Sequence, residues 1–188
     1  MTPRKAMIVG STGLVGSHLL QNLFNNATYS EITALVRRTP LLKNHRKLKE
    51  VITDFSNIDK TLSTITANDV FCCLGTTIKK AGSQVAFRKV DYSLVVDVAK
   101  VMRKQGAEQF VVISAMGANS SSKVFYNRIK GDMEEALKGL GYPCLRIIRP
   151  SFVVGAKRRI QVGRKDRDTD EPVMEALVGW LVEKISPC

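Results

Sequence analysis

The chain has 188 residues, 44% hydrophobic and 24% charged. That is the ordinary range for one globular domain and excludes collagen-like, coiled-coil and disordered classes. Lysine and arginine number 29 against 17 acidic residues, a formal net charge of +12, which favours anionic partners such as phosphates, nucleic acid or a membrane surface.

The amino terminus, MTPRKAMIVG, has too short an apolar run for a signal-peptide core. No stretch approaches the roughly eighteen apolar residues of a membrane span, so a cytoplasmic location is expected. Cys72, Cys73, Cys144 and Cys188 show no CxxC or His-linked spacing, and the adjacent pair lies in an apolar run. Those two read as reduced core thiols, and no metal site is expected.

In chain order, short runs rich in Val, Ile and Phe predict strands at residues 6–9, 32–36, 51–53, 70–74, 110–113 and 145–148. Segments of helical periodicity lie between them. Residues 14–25 place Val15, Leu19 and Leu23 on one side; residues 87–105 repeat Phe87, Val90, Leu94, Val98 and Met102; residues 125–140 align Ile129, Met133, Ala136 and Leu140. This alternation predicts an α/β fold, a doubly wound parallel sheet with right-handed crossovers and strand order 3-2-1-4-5-6. Ligands bind such sheets outside the carboxyl ends of the strands, where the order reverses.

Directly after the first strand stand Gly10, Ser11, Thr12, Gly13, Leu14, Val15 and Gly16, a G-x-x-G-x-x-G loop that opens a helix. Glycines there let the chain turn tightly and a pyrophosphate approach the backbone, while the helix amino end supplies N–H donors. Strand two ends in Arg37 and Arg38, where NAD-preferring folds carry an acid. Arginines at that place would pair with a 2′-phosphate, so NADP(H) is expected over NAD(H); the plainer alternative is a solvated basic loop. Asp54 is placed either to meet the adenine amino group or to cap the helix that begins near Asn57. Leu74, Gly75, Thr76 and Thr77 follow strand four beside the switch point and are expected against the cofactor.

Strand five ends in Ser114, and twelve residues later come Tyr126 and Lys130, at i and i+4 of a helix. A free phenol, with pKa about 10, is a poor acid or base at neutral pH, and a neighbouring ammonium favours the phenolate. Lys130 is that ammonium, and it is also placed to hold a nicotinamide ribose. Ser114 would hydrogen-bond a substrate carbonyl while Tyr126 gives it a proton as hydride arrives. A bare Y-x-x-x-K usually marks a solvated helix face; this one follows a strand-end serine and a dinucleotide loop.

These residues together resemble the short-chain dehydrogenase/reductase superfamily, in its extended or atypical branch. More narrowly, residues 70–77, 114–118 and 126–130 resemble bacterial relatives of the vertebrate Tat-interacting oxidoreductase-like protein. The resemblance spans residues 5–156. It implies a Rossmann fold, NADP(H) binding, a catalytic Ser114, Tyr126 and Lys130, and a run of Arg149, Pro150 and Ser151 beside the nicotinamide. The sequence departs in two places. Asp91 stands where many members have a relay asparagine, and 38 residues follow Pro150, fewer than the family's substrate cap.

Residues 1–156 are therefore expected to form the NAD(P)-binding domain, truncated after strand six, and 157–188 a basic loop and a short apolar helix over 173–185. That helix, with Trp180, would pack on the sheet or pair with a second subunit. The expected function is hydride transfer between NADP(H) and a small-molecule carbonyl or alcohol. The alternatives are a cofactor-binding regulator or scaffold without turnover and, resting on charge alone, a nucleic-acid binder.

Overall fold

The computed structural model describes residues 3–37 and 45–150. The expected tail helix, Trp180, Ser151 and Arg38 lie outside the described residues. The elements are β1 (Arg4–Val9), α1 (Leu14–Asn25), β2 (Tyr29–Val36), β3 (Leu48–Ile52), α2 (Ile58–Leu62), β4 (Asp69–Cys72), α3 (Ile78–Ala81), α4 (Gln84–Arg88), α5 (Leu94–Lys104), β5 (Gln109–Ile113), α6 (Phe125–Lys138) and β6 (Cys144–Ile148). The strands form a six-stranded sheet in the order β3-β2-β1-β4-β5-β6, with every pairing parallel, as the alternation of apolar runs and helical segments requires.

Alternate side chains of each strand face opposite layers. Ala6, Ile8, Ile32, Ala34, Phe71 and Val111 pack on Leu19, Leu20 and Leu23 of α1. Met7, Val9, Val70, Cys72, Phe110 and Val112 pack on the other side against α2, α5 and α6, through Leu62, Val98, Met102, Met133 and Leu137. Burial on both faces is why the strands read as continuous apolar runs rather than as alternating ones.

The helix expected over 87–105 is not one continuous α-helix. A π-turn over Lys89–Ser93 separates α4 from α5, and the residue that such a turn adds re-aims the side chains around it. Phe87, Val98 and Met102 are buried as expected, whereas Val90 and Leu94 stay half-buried and line a cleft; Asp91 is buried in their stead. On α6 the buried apolar residues are Ile129, Met133 and Leu137, while Ala136 and Leu140 are half-buried, Leu140 lying beyond the helix end. Gly131 is buried in close approach to the preceding loop: a Cβ there would stand 2.1 Å from the Ser120 nitrogen.

A candidate cofactor cleft and the residues beside it

The strand order reverses between β1 and β4, and the loop from Gly10 to Gly16 crosses the carboxyl ends of these two strands. Gly10 has φ +86°, and a Cβ on it would meet the Cys73 carbonyl oxygen at 2.6 Å. A Cβ on Gly16 would stand 2.1 Å from the Gly10 oxygen, so these two glycines let the loop fold back on its own helix. The α1 helix starts behind Gly13 with no side-chain cap and no acid in its first turn. Its first N–H groups and the positive end of its dipole are therefore left for an anion. The Ser11 hydroxyl, 1% exposed, has no hydrogen-bond partner among the described residues.

Gly10, Thr12 and Gly13 form one end of a cleft of about 920 Å³, within the size range of small-molecule sites. Arg37, exposed at the end of β2, and the segment 54–59 line its rim, and Leu74, Gly75 and Thr76 line the wall after β4. The sequence reading missed Lys80, Lys89 and Asp97, which also line it. Leu14 is exposed and Val15 half-buried at the helix start, and neither borders the cleft. Glycines that only glycine can replace, an uncapped helix start and the Arg37 guanidinium at the rim fit a nucleotide carrying a diphosphate.

Helix caps beside the cleft come from Asn57 and Thr77. Asp54 does not cap α2: Asn57 does, accepting from the Lys60 N–H at 3.0 Å. Asp54 instead accepts the Ser56 N–H at 2.8 Å, and this bond holds its carboxyl below the ordinary range. Thr77 does not border the cleft; its hydroxyl caps α3 by accepting the Lys80 N–H at 3.1 Å.

On α6, Tyr126, Lys130 and Glu134 recur every four residues, the spacing of one helix face. Tyr126 is exposed, its ring centroid lies 5.6 Å from that of Phe87, and its hydroxyl has no partner among the described residues. Lys130 is buried, with Nζ 2.8 Å from Asp91 Oδ1 in an ion pair whose side chains are 4% and 1% exposed. The other Asp91 oxygen accepts the Thr76 N–H at 2.9 Å, which ties α6 to the cleft wall. Asp91, met in the sequence as a departure from a relay asparagine, is thus the counter-ion of Lys130. The ammonium expected to favour a Tyr126 phenolate has its charge offset.

Ser114 follows β5 and is buried, its N–H donating to the Ile148 oxygen at 2.7 Å. Its hydroxyl donates to Glu134 Oε1, so its proton is not directed at a substrate carbonyl as the sequence suggested. Glu134, 1% exposed, also accepts from Arg149, whose Nε lies 2.9 Å and 3.1 Å from the two carboxylate oxygens. That bond raises the Arg149 guanidinium above its ordinary pKa. Pro150 follows, half-buried, at the edge of the described residues. The cleft lining does not include Ser114, Tyr126 or Lys130; the Thr76–Asp91–Lys130 chain links the two regions. Glu134 was missed because charged residues on a helix read as solvent-facing, although its fourfold spacing from Tyr126 and Lys130 was visible.

A family model described as NAD(P)H-binding matches residues 10–153. The chain belongs to this NAD(P)H-binding family. The chain is 36% identical over 157 residues to Protein FMP52, mitochondrial, of Candida albicans, covering 80% of this chain and 68% of that protein. It is 33% identical over 184 residues to the fmp52 protein of Aspergillus niger, covering 95% and 75%. Among solved structures it resembles the Bordetella bronchiseptica enzyme WbmH in complex with NAD+, with TM-score 0.65, 16% identity and 79% of this chain covered. The chain spans 56% of that protein, little more than half. These curated relatives carry the FMP52 name, where the narrower resemblance named the Tat-interacting protein. Their names place them in mitochondria, which overturns the cytoplasmic expectation. Among the described residues no helix is long and apolar enough to cross a membrane.

Proposed function

We propose that this NAD(P)H-binding chain is an NADP(H)-dependent oxidoreductase of the short-chain type, acting on a small carbonyl or alcohol. The observation that carries the reading is Arg37 on the rim of a cleft whose other end is a glycine loop with an uncapped helix start. The N–H groups of that loop would hold the diphosphate, and Arg37, with Arg38, would pair with a 2′-phosphate through charge-assisted bonds. The bound nicotinamide supplies or accepts the hydride. Tyr126, exposed and with its hydroxyl unpartnered, would pass the proton to or from the substrate oxygen, and Lys130, fixed by Asp91, would hold the ribose.

Titration calorimetry with NADPH and NADH is the first test, and tenfold or greater preference for NADPH is expected. Equal affinities would remove the 2′-phosphate role. Nicotinamide oxidation across a carbonyl panel, lost in Tyr126→Phe with cofactor binding retained, is the second.

A second reading, an NADPH-binding regulator or scaffold without turnover, is favoured by two contacts: the Ser114 proton is given to Glu134 and the Lys130 charge is offset by Asp91. Saturable NADPH binding with no turnover over the same panel would establish it. The names of the FMP52 relatives support a mitochondrial setting for either activity.

A further inference from the structure

The Ser114 hydroxyl has one proton and two lone pairs. The proton goes to Glu134, a buried carboxylate that Arg149 holds from its other side with a guanidinium, which can only donate. Three elements meet in this clasp: Ser114 from the end of β5, Glu134 from α6 and Arg149 from the end of β6. The clasp fixes the rotamer of the serine and also the direction in which its proton points. A serine so held can only accept from whatever approaches it.

We propose that Glu134 is a positioning residue that sets Ser114 as a hydrogen-bond acceptor, so that the site favours a substrate oxygen bearing a proton, an alcohol, over the corresponding carbonyl. This rests on the oxidoreductase reading above. Glu134 lies one turn beyond Lys130 and two beyond Tyr126 on the same face, so the residues of the site divide their work. Tyr126 exchanges the proton, Lys130 binds, and Glu134 acts on the substrate only through Ser114. A serine free to donate would assist a carbonyl; one already donating to a carboxylate receives the hydroxyl proton of an alcohol instead.

The test uses the full chain saturated with cofactor and one carbon skeleton in two oxidation states, in pairs that cannot react: cyclohexanol with NADPH and cyclohexanone with NADP+. Dissociation constants come from saturation-transfer NMR, and the alcohol-to-ketone ratio is compared between variants so that the cofactor's own effect cancels. In Glu134→Gln, Arg149 still demands an acceptor, so the amide oxygen turns to Arg149 and the amide N–H faces Ser114. The serine then accepts from glutamine and its proton is released outward.

The ratio is expected to move toward the ketone by about five- to tenfold, the worth of one hydrogen bond. Ser114→Ala, which leaves the Glu134–Arg149 pair intact, is expected to abolish the preference; it keeps the test usable if Glu134→Gln does not fold. A merely structural role for Glu134 would weaken both probes alike. A ratio unchanged in both variants, with the cofactor bound, overturns this proposal alone, whereas failure of the unaltered chain to bind either cofactor overturns the oxidoreductase reading with it.

Discussion

Replacing Asp91 by asparagine keeps the shape of the side chain and leaves one oxygen to accept the Thr76 N–H, but it removes the charge that faces Lys130. The two side chains are 1% and 4% exposed, so water cannot take over the missing partner. Removing one member of a buried ion pair costs about 3–5 kcal/mol because the other charge remains in the interior. Against a total stability of about 5–15 kcal/mol, that is a large fraction. For a domain of this size it corresponds to a fall in melting temperature of about 6–20 °C. The single asparagine oxygen must serve either Thr76 or Lys130, so no reorientation restores both contacts. Calorimetric melting of Asp91→Asn, Lys130→Met and the double variant closes the cycle. The double variant carries no buried charge at this place and is expected to regain much of the loss, giving a coupling well above 1 kcal/mol. A single variant within about 0.5 kcal/mol of the parent, the range of an ordinary surface change, would refute the view that this pair is buried and mutually dependent. Additivity of the two single variants would do the same.

Arg37→Ala removes a charged donor from the cleft rim and is expected to weaken NADPH about tenfold or more while leaving NADH within twofold, as charge-assisted hydrogen bonds are worth about 1.5–3 kcal/mol; calorimetry with both cofactors decides it. Gly16→Ala places a methyl 2.1 Å from the Gly10 oxygen, so the loop must move; a loss of about 1–3 kcal/mol in stability and of at least tenfold in cofactor affinity is expected from denaturant titration and calorimetry. Burial pushes the Cys72 thiol up to about 11, so it should resist iodoacetamide at pH 8 in the folded chain and react on unfolding. Because the folded Cys72 keeps its proton where the unfolded thiol, with a value of 9.0, has lost it, its contribution to stability is complete below pH 9 and is lost as pH rises from there through about 11; a rising stability over that window would contradict the burial.

The sheet order and the glycine loop were legible in the sequence because both are written in residue types that have few alternative uses. Strands buried on two faces leave uninterrupted Val, Ile and Phe runs, and Gly10 and Gly16 occupy places where a Cβ would strike backbone. The boundaries of α1 were legible for the same reason, since the loop glycines mark its start. The π-turn over Lys89–Ser93 was not: the stripe through Phe87, Val90, Leu94 and Val98 keeps helical spacing across it, and nothing in that spacing shows that Val90 and Leu94 are turned to the cleft. The α3 helix was missed because four residues are too few for periodicity, although Thr77 before it and Gly82 after it, at φ +82°, are ordinary start and stop signals respectively. The partners of the reacting residues were hidden by a different cause. Hydrophobic periodicity assigns Asp91, Glu134 and Arg149 to solvent by their charge, and their pairing joins segments 39, 15 and 20 residues apart in the chain.

The two buried charges of α6 have opposite signs and lie one turn apart, each facing an opposite charge carried by a different element. If the helix slid by one turn, about 5.4 Å, Glu134 would come opposite Asp91 and two carboxylates would share an interior site, which is strongly disfavoured. Apolar packing alone does not forbid such a slip, because Ile129, Met133 and Leu137 repeat at the same four-residue interval and would exchange places with one another. The alternating charges therefore act together with Gly131, whose place against Ser120 no residue with a Cβ can take, to set the register that keeps Tyr126 beside Phe87 and its hydroxyl exposed. The price is desolvation, and the return is position. The Asp91→Asn, Lys130→Met double variant separates these two effects, since it removes the buried charges while leaving the apolar stripe. It regains stability yet relaxes the constraint on α6, so its Tyr126 environment, read by near-ultraviolet circular dichroism, is expected to be less well defined than that of the parent even where their melting temperatures agree.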